Sequence, residues 1–426
     1  MSLTTIISAI GNTNKQYPLI VRDCGIEVPT KIVLTYNQNK DESKDVAKLA
    51  ARERFLDEYA VSAVWLGGIP LVSKLCDSFI KKKGYNPNIN LNLFKQSKYQ
   101  GIDINIKNFE GKVGRDVIAE LKKVKNNKAV FEKLLALKFG LSTTIPMLFM
   151  GVILPKLIFA SSARKIEKLK ARKLQKEKQY QTIYENPMSY IKDGKISFKG
   201  NTISKIANFS TVDKMAVTDG GYALGRVATA RNKNEAIDVG FKMAGMLFLN
   251  FVAPPYLAKF LDKMTYKLSG LNVALDPIIL DDKKFMETIK NNSLLLPKNN
   301  TEKEIIEFLD KNPQSLFSKY AKQFCDVKYL KNDVRDPRAW VNIKKVVGLK
   351  EEMEKFAINA IKSRDIYAFA KKAKWAKSFN ILTNIGLSSA LLAFALPKAQ
   401  FAFRKFITGS DLEPGLADSK DKFSEK

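Results

Sequence analysis

The 426-residue chain contains no histidine. Its absence removes the commonest metal ligand and the commonest general acid or base. Any catalysis would have to rest on carboxylates, lysines, tyrosines or thiols. Thiols are scarce as well. Cys24, Cys76 and Cys325 are widely separated, odd in number and without a Cys-x-x-Cys pair, which argues against a disulfide framework or a zinc site and fits a reducing or membrane context. The N-terminal stretch MSLTTIISAIGNTNKQYPLIV has no charged residue ahead of its short apolar run and no small-residue cleavage pattern, so a cleaved signal peptide is not expected.

Phosphate-binding motifs are missing too. Gly220-Gly221-Tyr222-Ala223-Leu224-Gly225-Arg226 lacks the Lys-Ser/Thr of a phosphate loop and the spacing of a dinucleotide fingerprint. With Asp219 ahead of it, the segment reads as a turn. The acidic clusters Glu351, Glu352, Glu354 and Asp281, Asp282, Glu287 have no metal-ligand spacing and read as solvated helix faces. No cofactor or metal is expected, and an enzyme is the less favoured class.

Acids are outnumbered: 43 Asp and Glu stand against 72 Lys and Arg, a formal net charge of +29. Such an excess suits anionic lipid, nucleic acid or plain solubility. Tyr367, Phe369, Lys371, Lys372, Lys374 and Trp375 interleave aromatic with basic residues, but they lead into an apolar segment where such a belt is expected at a membrane surface. No RNA- or DNA-binding motif accompanies them. Nucleic acid is disfavoured; the expected partners are an anionic lipid bilayer and other proteins.

What the chain does have is four apolar segments, at 59–73, 139–163, 243–258 and 378–397. The first would reach about 22 Å as a helix, short of the ~30 Å hydrocarbon layer, whereas the second and fourth are long enough to cross. The expected fold is therefore a predominantly α-helical membrane protein with basic extramembrane helical regions. A few short strands are expected at 17–36, rich in β-branched and aromatic residues, and at 101–109, where apolar and polar residues alternate. Thr301 with Glu304 forms a capping-box pattern ahead of Ile305 and Ile306.

The halves echo one another. Pro70-x-Val72-Ser73-Lys74-Leu75-x-Asp77 matches Pro255-x-Leu257-Ala258-Lys259-Phe260-x-Asp262, and Asn88-Ile89-Asn90-Leu91-Asn92 answers Asn272-Val273-Ala274-Leu275-Asp276. Leu154-Pro155-Lys156 with Phe159-Ala160 recurs as Leu396-Pro397-Lys398 with Phe401-Ala402, and Asp23-Cys24-Gly25 aligns with Asp219-Gly220-Gly221. This shared order predicts two related two-segment units. They occupy 1–163, with an extended N-terminal arm, and 211–408, with a larger insertion at 263–370. A basic helical linker, 164–210, joins them, and 409–426 forms a disordered tail. An even number of crossings per unit would place both termini on one side. The run from Arg164 to Lys178, with eight cations against two acids, would make that side cytoplasmic.

Candidate membrane-interface residues are Lys74, Lys156, Lys259 and Lys398, each close after a segment's proline and able to reach the headgroups, together with Arg164, Lys165, Lys168 and Arg172. Asp77 and Asp262 are the notable carboxylates, expected to pair with Lys74 and Lys259. The apolar segments contain no Asp, Glu or Arg, which disfavours an ion-relaying pump. Asn250, Asn384, Thr143, Thr144, Ser388 and Ser389 read as interhelical hydrogen-bonding groups. The expected function is a non-catalytic membrane-embedded or membrane-organising protein. The alternatives are a passive transporter or channel, requiring water-accessible polar residues along the second and fourth segments, and a soluble or peripheral enzyme whose apolar segments are core helices.

Overall fold

A computed structural model describes residues 2–12, 15–39, 44–95, 97–154, 157, 161, 210–228, 230 and 233–409. Helix makes up 79% of the structure and no sheet forms among the described residues, so neither expected strand exists. Residues 102–109 are the helix Ile102–Phe109, which buries Ile102, Asn105 and Phe109 on one face. The alternation in this stretch fits a helical face equally well over so short a run. The presumed N-terminal arm is also helical, over Leu3–Gly11 and continuously from Tyr17 to Asn39. The linker 164–209 and the tail after 409 lie outside the described residues.

Four helices are long and apolar enough to cross a membrane: Arg54–Lys82, Lys128–Gly151, Ala236–Ser269 and Ile366–Thr408. They carry the four apolar segments. Only 17% of the first and third apolar stretches is buried inside the protein, against 33% and 44% for the second and fourth. Leu75, Ile145, Phe260 and Phe379 are among the large side chains left facing outward. Apolar surface of this extent is unsuited to water and is consistent with a membrane location.

Every π-helical turn among the described residues ends two positions before a proline in the sequence. The turns are Ile20–Glu27, Val64–Gly68, Phe149–Ile153, Phe248–Val252 and Leu391–Ala395, and the prolines are Pro29, Pro70, Pro155, Pro254 and Pro397. Proline cannot donate to the carbonyl four residues back and its ring crowds that carbonyl. The helix responds by widening: the N–H groups of Ala253, Leu154 and Leu396 reach five residues back, to Phe248, Phe149 and Leu391. In this register Pro254, rather than Pro255, takes the place of Pro70.

Residues 83–127 and 270–365, which connect the paired spans, meet in one extramembrane domain. Phe285, Phe317, Tyr320, Ile305 and Phe356 form its fully buried centre. Gln100 exchanges hydrogen bonds with the Val341 backbone at 2.9 and 3.1 Å, and Asn105 donates to the Pro337 carbonyl. Arg335, almost fully buried, forks onto Asp310 and lies over the Phe109 ring. The expected cap at Thr301 forms, accepting from the Glu304 N–H, while the Glu304 carboxylate turns to the Lys298 N–H.

Where each span meets this domain, an ion pair ties it to its neighbour: Asp77 with Lys138, and Asp262 with Lys377. These replace the expected local pairs with Lys74 and Lys259, which are exposed. At the far end, Arg404 grips Asp238, with both side chains buried. The helix Leu3–Gly11 binds the domain through Ser8 on Asp276.

Candidate functional site: a charged cleft inside the bundle

The helices leading into each pair of spans position the interior charges. Arg22, Asp23, Glu27 and Lys31 lie on the helical stretch Ile20–Asn39 and are all buried. Asp23, Glu27 and Lys31 recur every four residues, so one face of the helix carries them inward. The helix Thr211–Ala228 runs straight through Asp219-Gly220-Gly221, where a turn was expected. The reason is close packing: a Cβ on Gly221 would lie 2.1 Å from the Met147 sulfur. Glycine here permits helix contact rather than a reversal.

Two cavities open along this interior. The one nearer the extramembrane domain, about 60 Å³, is bounded by Gly11, Arg22, Asp262, Lys377, Asn380, Asn384 and Ser388. Asn380, Asn384 and Ser388 follow one helical stripe of the fourth span. Asn380 donates to Asp262 at 3.0 Å, Ser388 to Asn384 at 3.2 Å, and Asn384 to the Pro254 carbonyl at 3.2 Å. This volume holds a few water molecules. Beside the Asp262–Lys377 pair, on the domain side, burial pushes the Glu352 carboxyl up to about 7, against the pull of Lys377 and with a further push from Asp262.

The second cavity, about 70 Å³, is lined by Asp23, Glu27, Glu58, Asp219, Asn250, Ser62 and Trp65, with Tyr222, Met243 and Met246. Its charges are largely matched. Arg22 donates to Asp23 at 3.1 Å; Lys31 pairs with Glu27 and, at 3.6 Å, with Glu58; Arg54 meets Glu58 at 2.8 Å. Arg22 carries one nitrogen without a partner, as does the side-chain oxygen of Asn250. Arg22 and Asp23 are adjacent residues facing successive cavities and so join them.

Acids thus reach the bundle interior from positions outside the four apolar segments, which themselves contain no Asp, Glu or Arg. The signal was present in the sequence as charges at four-residue steps through an otherwise apolar stretch. On the outer surface, Lys74, Lys259 and Lys398 are exposed on their spans. Lys156, Arg164, Lys165, Lys168 and Arg172 lie outside the described residues. Thr143 bonds back to the Phe139 carbonyl of its own helix, whereas Asn384 and Ser388 face the first cavity. Compared with family profiles, curated proteins and solved structures, the chain finds no match.

Proposed function

We propose that the protein is an integral membrane transporter of passive type, built from two related units, that passes a small polar solute through its interior cleft. The observation that carries this reading is the placement of charge. Arg22, Asp23, Glu27 and Lys31 are buried, and the first three line the two cavities, while large apolar side chains such as Phe260 and Phe379 face outward. Ionisable groups inside a membrane are costly and mark solute or ion pathways. Of the two polar stripes a transporter requires, the fourth span supplies one in Asn380, Asn384 and Ser388. The second span does not, because Ser142 and Thr143 bond to their own backbone.

Duplication is supported by three correspondences. The Asp–Lys pairs join equivalent spans, the π turns precede equivalent prolines, and Ile89 with Leu91 is buried in the domain much as Val273 with Leu275 is. Each unit then has three helices rather than two, counting the leading helices 17–39 and 211–228. Each leading helix packs on its own unit and also touches the opposite one. Ile20–Asn39 packs on the second unit's fourth span, and Thr211–Ala228 on the first unit's second span.

Anionic lipid remains the proposed surface partner. The observation favouring it is Lys81, Lys82 and Lys83, exposed where the first span leaves its apolar stretch.

The test is reconstitution of the full chain into vesicles and light-scattering measurement of swelling in isosmotic neutral, cationic and anionic small solutes. Swelling severalfold faster than empty vesicles in at least one class is expected, and Asn384→Leu, which fills the first cavity, should return it towards background. Rates equal to those of empty vesicles in all three classes would defeat the transport reading. Retention in the pellet after alkaline carbonate extraction checks the membrane placement separately.

A further inference from the structure

We infer that the cavity between Asp23, Asp219 and Asn250 binds a small organic cation, a primary ammonium ion carrying two or three carbons. The inference rests on the transport reading in taking this cavity as solute-facing, and goes further in assigning the class of solute.

The first ground is one acid without a partner. Asp23, Glu27 and Glu58 each have a cationic partner within the protein. Asp219, which lines the same cavity, makes no hydrogen bond or ion pair among the described residues. Asp219 is half-buried, and a carboxylate withdrawn in part from water without a cation beside it is favoured by a bound positive group.

The second ground is Asn250. It is only 8% exposed, it lines the cavity, and its side-chain oxygen has no partner. Its backbone carbonyl is also deprived, because the residues four and five positions on are Pro254 and Pro255 and neither has an N–H to give. A tandem proline at this place occurs in the third span only. The sequence therefore frees acceptor oxygen at one point in the bundle, beside the unmatched carboxylate.

The third ground is the rest of the lining, which selects among cations. Among the described residues no group of three carboxylates or thiols is placed to hold a metal ion. Trp65 and Tyr222 contribute aromatic rings, and Met243 and Met246 flexible apolar side chains. The Trp65 indole N–H is already committed to the Met215 carbonyl, leaving the ring as apolar and cation-attracting surface. On a scale where roughly 10–15 Å³ holds one water, 70 Å³ takes an ammonium with a short alkyl chain. Its N–H groups would meet Asp219 and the Asn250 oxygens, and its carbons the methionines and Trp65.

Equilibrium dialysis of the detergent-purified full chain against radiolabelled ethylammonium tests this. Saturable binding of one ligand per chain is expected. It should weaken about tenfold or more in Asp219→Asn, as removal of a charge-assisted contact entails. It should recover in part in Asp219→Glu, weaken in Asn250→Ala, and stay unchanged in Glu307→Gln on the surface of the 270–365 domain. Equimolar sodium should not displace it. The inference is overturned by an absence of saturable binding, by wild-type affinity in both Asp219→Asn and Asn250→Ala, or by sodium competing as well as ethylammonium. A thermal melt guards against reading misfolding as lost affinity. Binding without vesicle swelling keeps the site and loses the transport reading; swelling without ethylammonium binding does the reverse.

Discussion

The extramembrane domain and the membrane bundle are built to opposite plans. In the domain, Phe285, Phe317 and Phe356 are sealed inside and lysines such as Lys303 and Lys311 face out. In the bundle, Phe260 and Phe379 face out and Asp23, Glu27 and Lys31 are inside. A change of medium, from water around the domain to acyl chains around the bundle, would let one chain obey both plans. Water expels apolar groups, whereas acyl chains are as apolar as leucine and leave polar groups the interior.

The contrast can be broken most sharply at phenylalanine. Phe356→Ala, in the domain centre, should cost about 3–5 kcal/mol, whereas Phe379→Ala on the bundle exterior should cost under about 1 kcal/mol in detergent or bilayer. Thermal melts of the reconstituted protein measure both, and equal losses would mean that the exterior position is covered by protein. Next in size is Lys31→Met. It strands Glu27 in the interior, leaves Glu58 to Arg54 alone and should destabilise by about 3 kcal/mol, with the added double change Glu27→Gln restoring part of the loss. A bundle interior open to bulk water would show little effect from either change.

A pH-dependent effect lies at the seam between the two regions. Glu352 titrates near 7 in the folded protein against 4.5 as a free side chain. Between those values the folded state retains a proton that the unfolded state has lost, so stability falls as pH rises from 4.5 to 7 and levels off above. Glu352→Gln should remove that slope, leaving the variant the more stable of the two at pH 8. Denaturant midpoints measured across the range give the comparison.

The apolar spans were legible in the sequence because an uncharged run has few other uses. The leading helix at 17–39 was not: its β-branched residues suggested strands, and four charges disguised it from any reading by hydropathy. Those same charges, spaced for a helical face, held the information about the cleft. Asp77 and Asp262 were rightly singled out, yet their partners Lys138 and Lys377 come from the neighbouring span, a contact that local spacing does not encode. Asp219-Gly220-Gly221 has the composition of a turn, and only the proximity of Met147 explains why glycine sits there inside a helix.

A widened turn in an ordinary helix can migrate, because each residue is able to hand its hydrogen bond to the next. A proline two residues downstream has none to hand on, so the irregularity is pinned. Leu66, Gly151, Asn250 and Ala393, each four residues before such a proline, lie 11, 13, 12 and 16 positions from Asp77, Lys138, Asp262 and Lys377. All four long helices therefore carry an immovable joint at a comparable depth, like knuckles on one hand. If the bundle flexes, the crease is already drawn across its width, and the halves on either side of it should swing as stiff rods.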